Sequence, residues 1–353
     1  MVVNEEIDRL KKWEEKIYSQ LENINKIKKN KEIIYYSISG VSSSNKIDPY
    51  ITPIRITGNK IISGCVVGSQ IEAIISSKCI INTVDYLLLD VEKKIPMQII
   101  PHKSVFEAFN LDRGLYIQNS KTVSGVEFGN ISSAVRKTFP EKKIINFKPN
   151  DLTVESIWSF LSHKFHNFSG LKIAIMGTGN IGFKIALKLV ESGCDVNLYR
   201  RDETKGNFFS NCINLVKHKN TLARAEFFND PIQASTLCNA IIGTSKTDSP
   251  VITDQMIQVM QKKGLLIDCG KGNISEDAIK LAMETKINIY RTDVTSGIIS
   301  FVNQASEIKS LVNEKTGRKE ILKGIFVISG GVFGNYEDII VDNYSTPKLI
   351  YGM

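Results

Sequence analysis

Ile7, Leu10, Trp13, Ile17, Leu21, Ile24 and Ile27 recur at steps of three and four, with charged residues between them. That spacing predicts one amphipathic helix over residues 4–30. Its apolar face packs on its own domain or on a partner subunit, and its heptads are too few for a coiled coil. From Ile33 the rhythm changes to short apolar runs punctuated by glycines, serines and Pro49, Pro53 and Pro96. These runs predict strands at Ile33–Ser37, Ile51–Ile56, Ile61–Val67, Cys79–Asn82, Tyr86–Asp90 and Met97–Ile100. Helices are expected at Ser104–Asn110 and Ile131–Thr138. The pattern is that of an α/β domain, and it does not specify the topology.

Asn150-Asp151-Leu152-Thr153, with Glu155 behind it, has the composition of a helix cap. The helix runs through Ile157, Phe160 and Leu161 to about Phe165, with His163 and His166 at the end that suits a basic side chain. Beyond Leu171 strand and helix patterns alternate through Asp293, as a parallel doubly wound sheet requires. The expected fold class is α/β with two domains. Residues 1–149 form the N-terminal helix plus an α/β substrate domain, and 150–168 the interdomain helix. Residues 169–325 form a doubly wound Rossmann domain. Residues 326–353 are expected to return towards the first domain.

Lys172–Met176 reads as a buried strand that runs into Gly177-Thr178-Gly179-Asn180-Ile181-Gly182. A helix, Phe183–Ser192, and a second strand, Asp195–Tyr199, follow. Glycine spacing alone is weak evidence, but within a βαβ unit of this length it predicts a dinucleotide site. Gly177 makes the turn, Gly179 admits the pyrophosphate to the backbone, and Gly182 lets helix and strand pack. The helix N-terminus offers free N–H groups to the phosphates. Where an NAD site carries an acid at the second strand end, this chain has Arg200 and Arg201, donors suited to a 2′-phosphate. NADP is therefore the expected cofactor, ahead of NAD. Asp202 is expected to cap a turn, and Lys205 adds charge. Thr244, Ser245, Cys269 and Gly270 follow later strands, at Ala240–Gly243 and Leu265–Asp268, and are expected to line the same crevice. A further strand is expected at Ile287–Tyr290, and Lys271 is open as a substrate contact.

Composition narrows the alternatives. The chain has 353 residues, 42% of them hydrophobic and 23% charged, ordinary values for a globular protein with room for two domains. Its net charge is +8, with many basic residues between Lys11 and Lys31 and the rest scattered; no basic stripe is interleaved with aromatics, so no nucleic-acid partner is expected. Six cysteines form no CxxC pair and no Cys/His cluster, so no metal site is expected and the thiols read as reduced. The start lacks an apolar signal core, and no run of ~18 apolar residues occurs. A cytoplasmic protein without a membrane partner is the expectation. A homodimer is expected on symmetry grounds alone.

Three local matches resemble the amino-acid-dehydrogenase-like superfamily, which includes shikimate dehydrogenase, glutamyl-tRNA reductase and methylene-tetrahydrofolate dehydrogenase. Asn150-Asp151-Leu152-Thr153-Val154 is similar to the stretch that opens the interdomain helix of shikimate dehydrogenases, with Thr153 near the place of their glycine. Tyr199-Arg200-Arg201-Asp202 is similar to their phosphate clamp. Leu266–Gly270 and Ile328–Gly334 resemble two glycine-ending stretches of the folate enzymes, with Ser329 in place of a proline. The likeness covers roughly the last 200 residues. It implies an oxidoreductase in which a lysine carries a proton and a cleft aspartate assists. Lys103 is the first candidate for that lysine, with His102 beside it as an alternative acid and Lys60 and Lys78 open. Asp151 is the candidate carboxylate, or else only a helix cap.

The resulting expectation is an NADP(H)-dependent oxidoreductase acting on a C=O or C=N bond of a small polar, anionic metabolite. The alternative is a catalytically inactive, cofactor-binding sensor or regulatory protein.

Overall fold

The computed structural model describes residues 2–40, 48–92, 102–111, 131–245, 249–270, 272–314, 318–329 and 334–353. Helix α1 (Val2–Ile27) is followed by β1 (Ile33–Gly40), β2 (Tyr50–Thr57), β3 (Lys60–Val67), α2 (Gln70–Ile80), β4 (Tyr86–Asp90), α3 (Lys103–Ala108), α4 (Ile131–Val135) and β5 (Ile144–Phe147). The strands form one sheet in the order β2-β3-β1-β4-β5, parallel except for the antiparallel edge strand β2. The apolar stripe of α1 is used within its own domain: Leu10, Trp13, Ile17, Leu21 and Ile24 are buried in a core shared with β1, β3 and α2. Polar anchors set its register. Trp13 Nε1 donates to Ser76 Oγ at 3.1 Å, and Tyr36 Oη donates to Gln20 Oε1 at 2.7 Å.

One strand expectation is overturned. Cys79–Asn82, read as a strand, begins inside α2 and runs on into a turn. Ser69 caps α2 and Glu72 closes a capping box, a start signal that outweighs the short apolar run at its end. Met97–Ile100 lies outside the described residues. The helix expected to be capped by Asn150-Asp151 starts one residue earlier, with Pro149 in its first turn and Lys148 as an N-cap that makes no side-chain cap bond.

The second half begins with α5 (Pro149–Lys164), β6 (Lys172–Met176), α6 (Asn180–Glu191), β7 (Asp195–Tyr199), α7 (Glu203–Val216), β8 (Ala225–Phe228) and α8 (Pro231–Ser235). It continues with β9 (Ala240–Gly243), α9 (Asp254–Val259), β10 (Leu265–Asp268), α10 (Glu276–Glu284) and β11 (Asn288–Arg291). All six strands are parallel, in the order β11-β10-β9-β6-β7-β8. Counted from β6 this is the doubly wound order 3-2-1-4-5-6, with its topological switch between β6 and β9. The two-domain α/β expectation holds. Near-continuous burial along β6, β9 and β10 reflects helices on both faces.

Two helices join the sheets. Helix α11 (Thr295–Glu314) leaves β11 and packs on α5, where Gly297 N donates to Ser156 Oγ at 3.0 Å. Leu152 of α5 and Ile298 and Val302 of α11 bury against Tyr35, Ile62 and Leu88 on the second face of the first sheet. The chain thus returns to the first sheet from residue 295, inside the 169–325 range. Arg55 on β2 anchors that crossing, donating from Nε to Thr295 Oγ1 at 2.6 Å beside Asp293 at 3.7 Å. The C-terminal stretch forms a third sheet of β12 (Arg318–Leu322), β13 (Ile325–Ile328), β14 (Ile339–Val341) and β15 (Ile350–Gly352). No described helix is long and apolar enough to cross a membrane.

Candidate dinucleotide-binding cleft

The carboxyl ends of β6, β7 and β9 open on a cleft of about 820 Å³. Its floor is the turn Gly177–Gly182 between β6 and α6. Gly177 has φ +105°, a conformation that favours glycine. A Cβ there would meet Ser245, and one at Gly182 would meet the carbonyl of Gly177, both well inside 3.0 Å. A Cβ at Gly179 would meet nothing within 4 Å, so the turn is open on the side that faces the cleft.

The residues after β7 divide their work. Arg200 turns inward: its Nη1 donates to the carbonyl of Thr178 at 2.8 Å, and its guanidinium lies 5.5 Å from the Phe209 ring centroid. Arg200 therefore clamps the glycine-rich turn while lining the cleft. Arg201 is exposed at the cleft rim. Asp202 is the N-cap of α7, accepting from Lys205 N at 3.0 Å and pairing with Lys205 Nζ at 3.2 Å. Those bonds from Lys205, the backbone one first, hold its carboxyl below the usual range. Asp202 thus caps α7 at the cleft lining.

Two buried polar atoms at this turn, Thr178 Oγ1 and Arg200 Nε, have no hydrogen-bond partner among the described residues. Buried polar groups are normally paired. Together with the open face of Gly179, they fit a site that accepts a phosphate-bearing ligand. The Gly177–Gly182 backbone and the start of α6 would hold its pyrophosphate.

Asp268 and Asn273 organise the far wall. The Asp268 carboxylate accepts from Gly272 N at 2.8 Å, Gly270 N at 3.0 Å and Asn273 Nδ2 at 3.0 Å. Partial burial pushes its carboxyl up, but these bonds outweigh burial and hold it below the usual range. Asn273 Oδ1 accepts from Ser245 N at 3.1 Å, and its carbonyl accepts from Val251 N and Ile252 N. One buried asparagine thus joins the loops after β9 and β10. Neither residue was among the sequence candidates, although the position of Asp268 at a strand end was a signal. Thr244 donates from Oγ1 to the Gly177 carbonyl, so Thr244 and Ser245 brace the turn as well as lining the cleft. Cys269 and Gly270 lie just beyond the cleft lining, with Cys269 Sγ accepting from Thr292 Oγ1 at 3.3 Å. Burial pushes the Cys269 thiol up to about 12. Lys271 is outside the described residues.

The first-domain candidates separate into two groups. His102 is the N-cap of α3, and Lys103 pairs with Glu107 at 3.2 Å; both are exposed, and neither lines the cleft. Lys78 is occupied by the carbonyls of Phe109 and Asn110. Asp151 lies one residue from the cleft wall, bonded to Lys184 of α6 and, at 3.2 Å, to Lys148. Partial burial raises its carboxyl, but the two lysines outweigh that and hold it below the usual range. Asp151 therefore stays ionised at neutral pH. The Asp151 hydrogen bond in turn raises Lys148.

One family model agrees with this geometry. Residues 147–298 match the family model described as the D-isomer specific 2-hydroxyacid dehydrogenase, NAD binding domain. No curated protein sequence matches the chain. Among solved structures, a cinnamyl alcohol dehydrogenase from Sorghum bicolor shares 14% identity over 51% of this chain and 46% of that one, with a TM-score of 0.35. D-mandelate dehydrogenase from Rhodotorula graminis shares 14% over 41% and 47%, with 0.31. Glutamyl-tRNA reductase from Methanopyrus kandleri shares 13% over 45% and 39%, with 0.35. The chain spans less than half the length of each of these three. Residues 147–298 are an NAD(P)-binding Rossmann domain.

Proposed function

We propose that this chain is an NADP(H)-dependent oxidoreductase of the amino-acid-dehydrogenase-like type. Its substrate is a small anionic metabolite with a C=O or C=N bond, held between the two sheets. The observation that carries the reading is the split of Arg200 and Arg201. Arg200 is tied to the turn, while Arg201 stands exposed at the rim, and the neighbouring Asp202 is engaged by the cap of α7 and by Lys205. A bound nicotinamide supplies or accepts the hydride. The chain supplies the rest. Asp151, next to the cleft-lining Asn150, stays ionised and orients Lys148 and Lys184, whose ammonium groups supply the proton and the positive charge for an anionic substrate.

The test is NADPH consumption with a panel of 2-oxo acids and cyclic imines. Turnover by one member is expected, with Lys184→Met lowering kcat while NADPH affinity stays within about twofold, a margin of roughly 0.4 kcal/mol. Tight NADPH binding without turnover of any class would favour a cofactor-sensing protein instead.

A further inference from the structure

Asn150 lines the dinucleotide cleft, yet it belongs to α5, which arises from the first domain. Asp151 pairs with Lys184 and Glu155 with Lys188, so α5 and α6 advance together and run parallel. Both helices therefore begin at the same edge of the second sheet. Phe160 of α5 stacks on Tyr290 of β11 at 3.6 Å, which sets α5 over the β9–β11 half. Arg200 and Arg201 follow β7, on the opposite side. Asn150 thus faces the half of the cleft away from the adenosine end.

Its side chain is held in one orientation. Glu92, two residues beyond β4, accepts from Asn150 N at 3.0 Å with one carboxylate oxygen and from Asn150 Nδ2 at 3.2 Å with the other. A carboxylate accepts only, so the amide nitrogen must face Glu92. Oδ1 then points away as an acceptor with no partner among the described residues. Glu92 also does what the N-cap Lys148 does not, since it satisfies a free amide in the first turn of α5. Behind it, buried Asp90 accepts from Glu92 N at 2.8 Å and from Gly40 N at 3.0 Å. A continuous set of hydrogen bonds therefore joins the carboxyl ends of β1 and β4 to the cleft.

We propose that Asn150 Oδ1 accepts a hydroxyl of the nicotinamide-side ribose, and that Glu92 is the positioning residue that presents it. The inference rests on the dinucleotide reading above. It gives the first domain a direct hand on the cofactor, through a residue that the glycine-rich fingerprint does not contain.

The test compares binding of NADPH with binding of adenosine 2′,5′-bisphosphate, which has the phosphorylated adenosine half and no nicotinamide ribose. Asn150→Ala should weaken NADPH about three- to tenfold, the range of one neutral hydrogen bond, and leave the bisphosphate unchanged. Glu92→Ala should show the same selective loss, but no further loss when added to Asn150→Ala. A merely structural cap would weaken both ligands, or act equally in both backgrounds, and that result overturns the positioning role. NADPH binding unchanged in Asn150→Ala overturns the contact. If the unaltered protein binds neither ligand, the dinucleotide reading itself fails.

Discussion

Adding a methyl group at Gly179 costs the free protein almost nothing. The residue has φ −86° and ψ −160°, which any L-residue adopts, and a Cβ would meet no atom within 4 Å. Ala there also restricts the unfolded chain, which adds up to about 0.4–1 kcal/mol of stability. The other two glycines behave differently. At Gly177 the φ of +105° costs about 1–3 kcal/mol for a side chain. At Gly182 the obstacle is the Gly177 carbonyl, a backbone atom that cannot swing away, and overpacking of that kind costs about 1–3 kcal/mol. For a domain of about 150–250 residues each kcal/mol lowers Tm by about 2–4 °C. Gly177→Ala and Gly182→Ala should therefore melt roughly 2–12 °C lower, and Gly179→Ala should match or exceed the unaltered protein. Dinucleotide binding reverses the order. The new methyl at position 179 occupies the space through which a pyrophosphate reaches the backbone amides. Loss of one or two charge-assisted bonds, about 1.5–3 kcal/mol, weakens NADPH about 10- to 150-fold. Calorimetric melting without ligand and titration with NADPH read the two effects separately. A Gly179→Ala protein that melts with the Gly182→Ala protein, or binds NADPH undiminished, refutes the reasoning.

Two further outcomes follow from the core and from the loop carboxylate. Ile17→Ala removes a fully buried side chain of α1 and should cost about 2–5 kcal/mol in denaturant unfolding, with NADPH affinity intact because the cavity lies in the first domain. Asp268 has a folded pKa below its ordinary 3.8, so its stabilisation is full above that value and disappears as pH falls through the folded value. Asp268→Asn should lower Tm at neutral pH and flatten the decline of Tm below about pH 4; an unchanged acid limb would contradict the assignment.

The second domain was legible because its strands are buried on both faces. Lys172–Met176, Asp195–Tyr199, Ala240–Gly243 and Leu265–Asp268 were all placed as the structure has them. The first domain was less so. Helix α2 is buried on nearly every side, so it shows no polar face and no helical period, and its apolar end imitates a strand. Its capping box, Ser69 with Glu72, was the readable signal. Strand β5 is only four residues long and carries the polar Asn146, too little for an alternation. The sheet order of the first domain, and the return of α11 to it, depend on contacts far apart in sequence. At the site, the glycines and the arginine pair were legible as a motif, but the division between Arg200 and Arg201 was not. It is set by Phe209 on the following helix and by the carbonyl of Thr178. Lys184 was missed because it is an ordinary helix-surface lysine until α5 and α6 lie side by side, and Lys148 because it stands in front of the expected cap. Lys103 and His102 attracted notice as a strand-to-helix junction, and α3 holds them on the surface.

The most direct measurement is a fluorescence titration with NADPH and, separately, NADH, on the unaltered protein and on Arg200→Ala and Arg201→Ala. The account predicts tighter binding of NADPH and a loss of that preference, about 10- to 100-fold, in Arg201→Ala. Arg200→Ala should weaken both cofactors together, since it loosens the turn they share. Tighter binding of NADH, or a preference for NADPH that survives in Arg201→Ala, would contradict it.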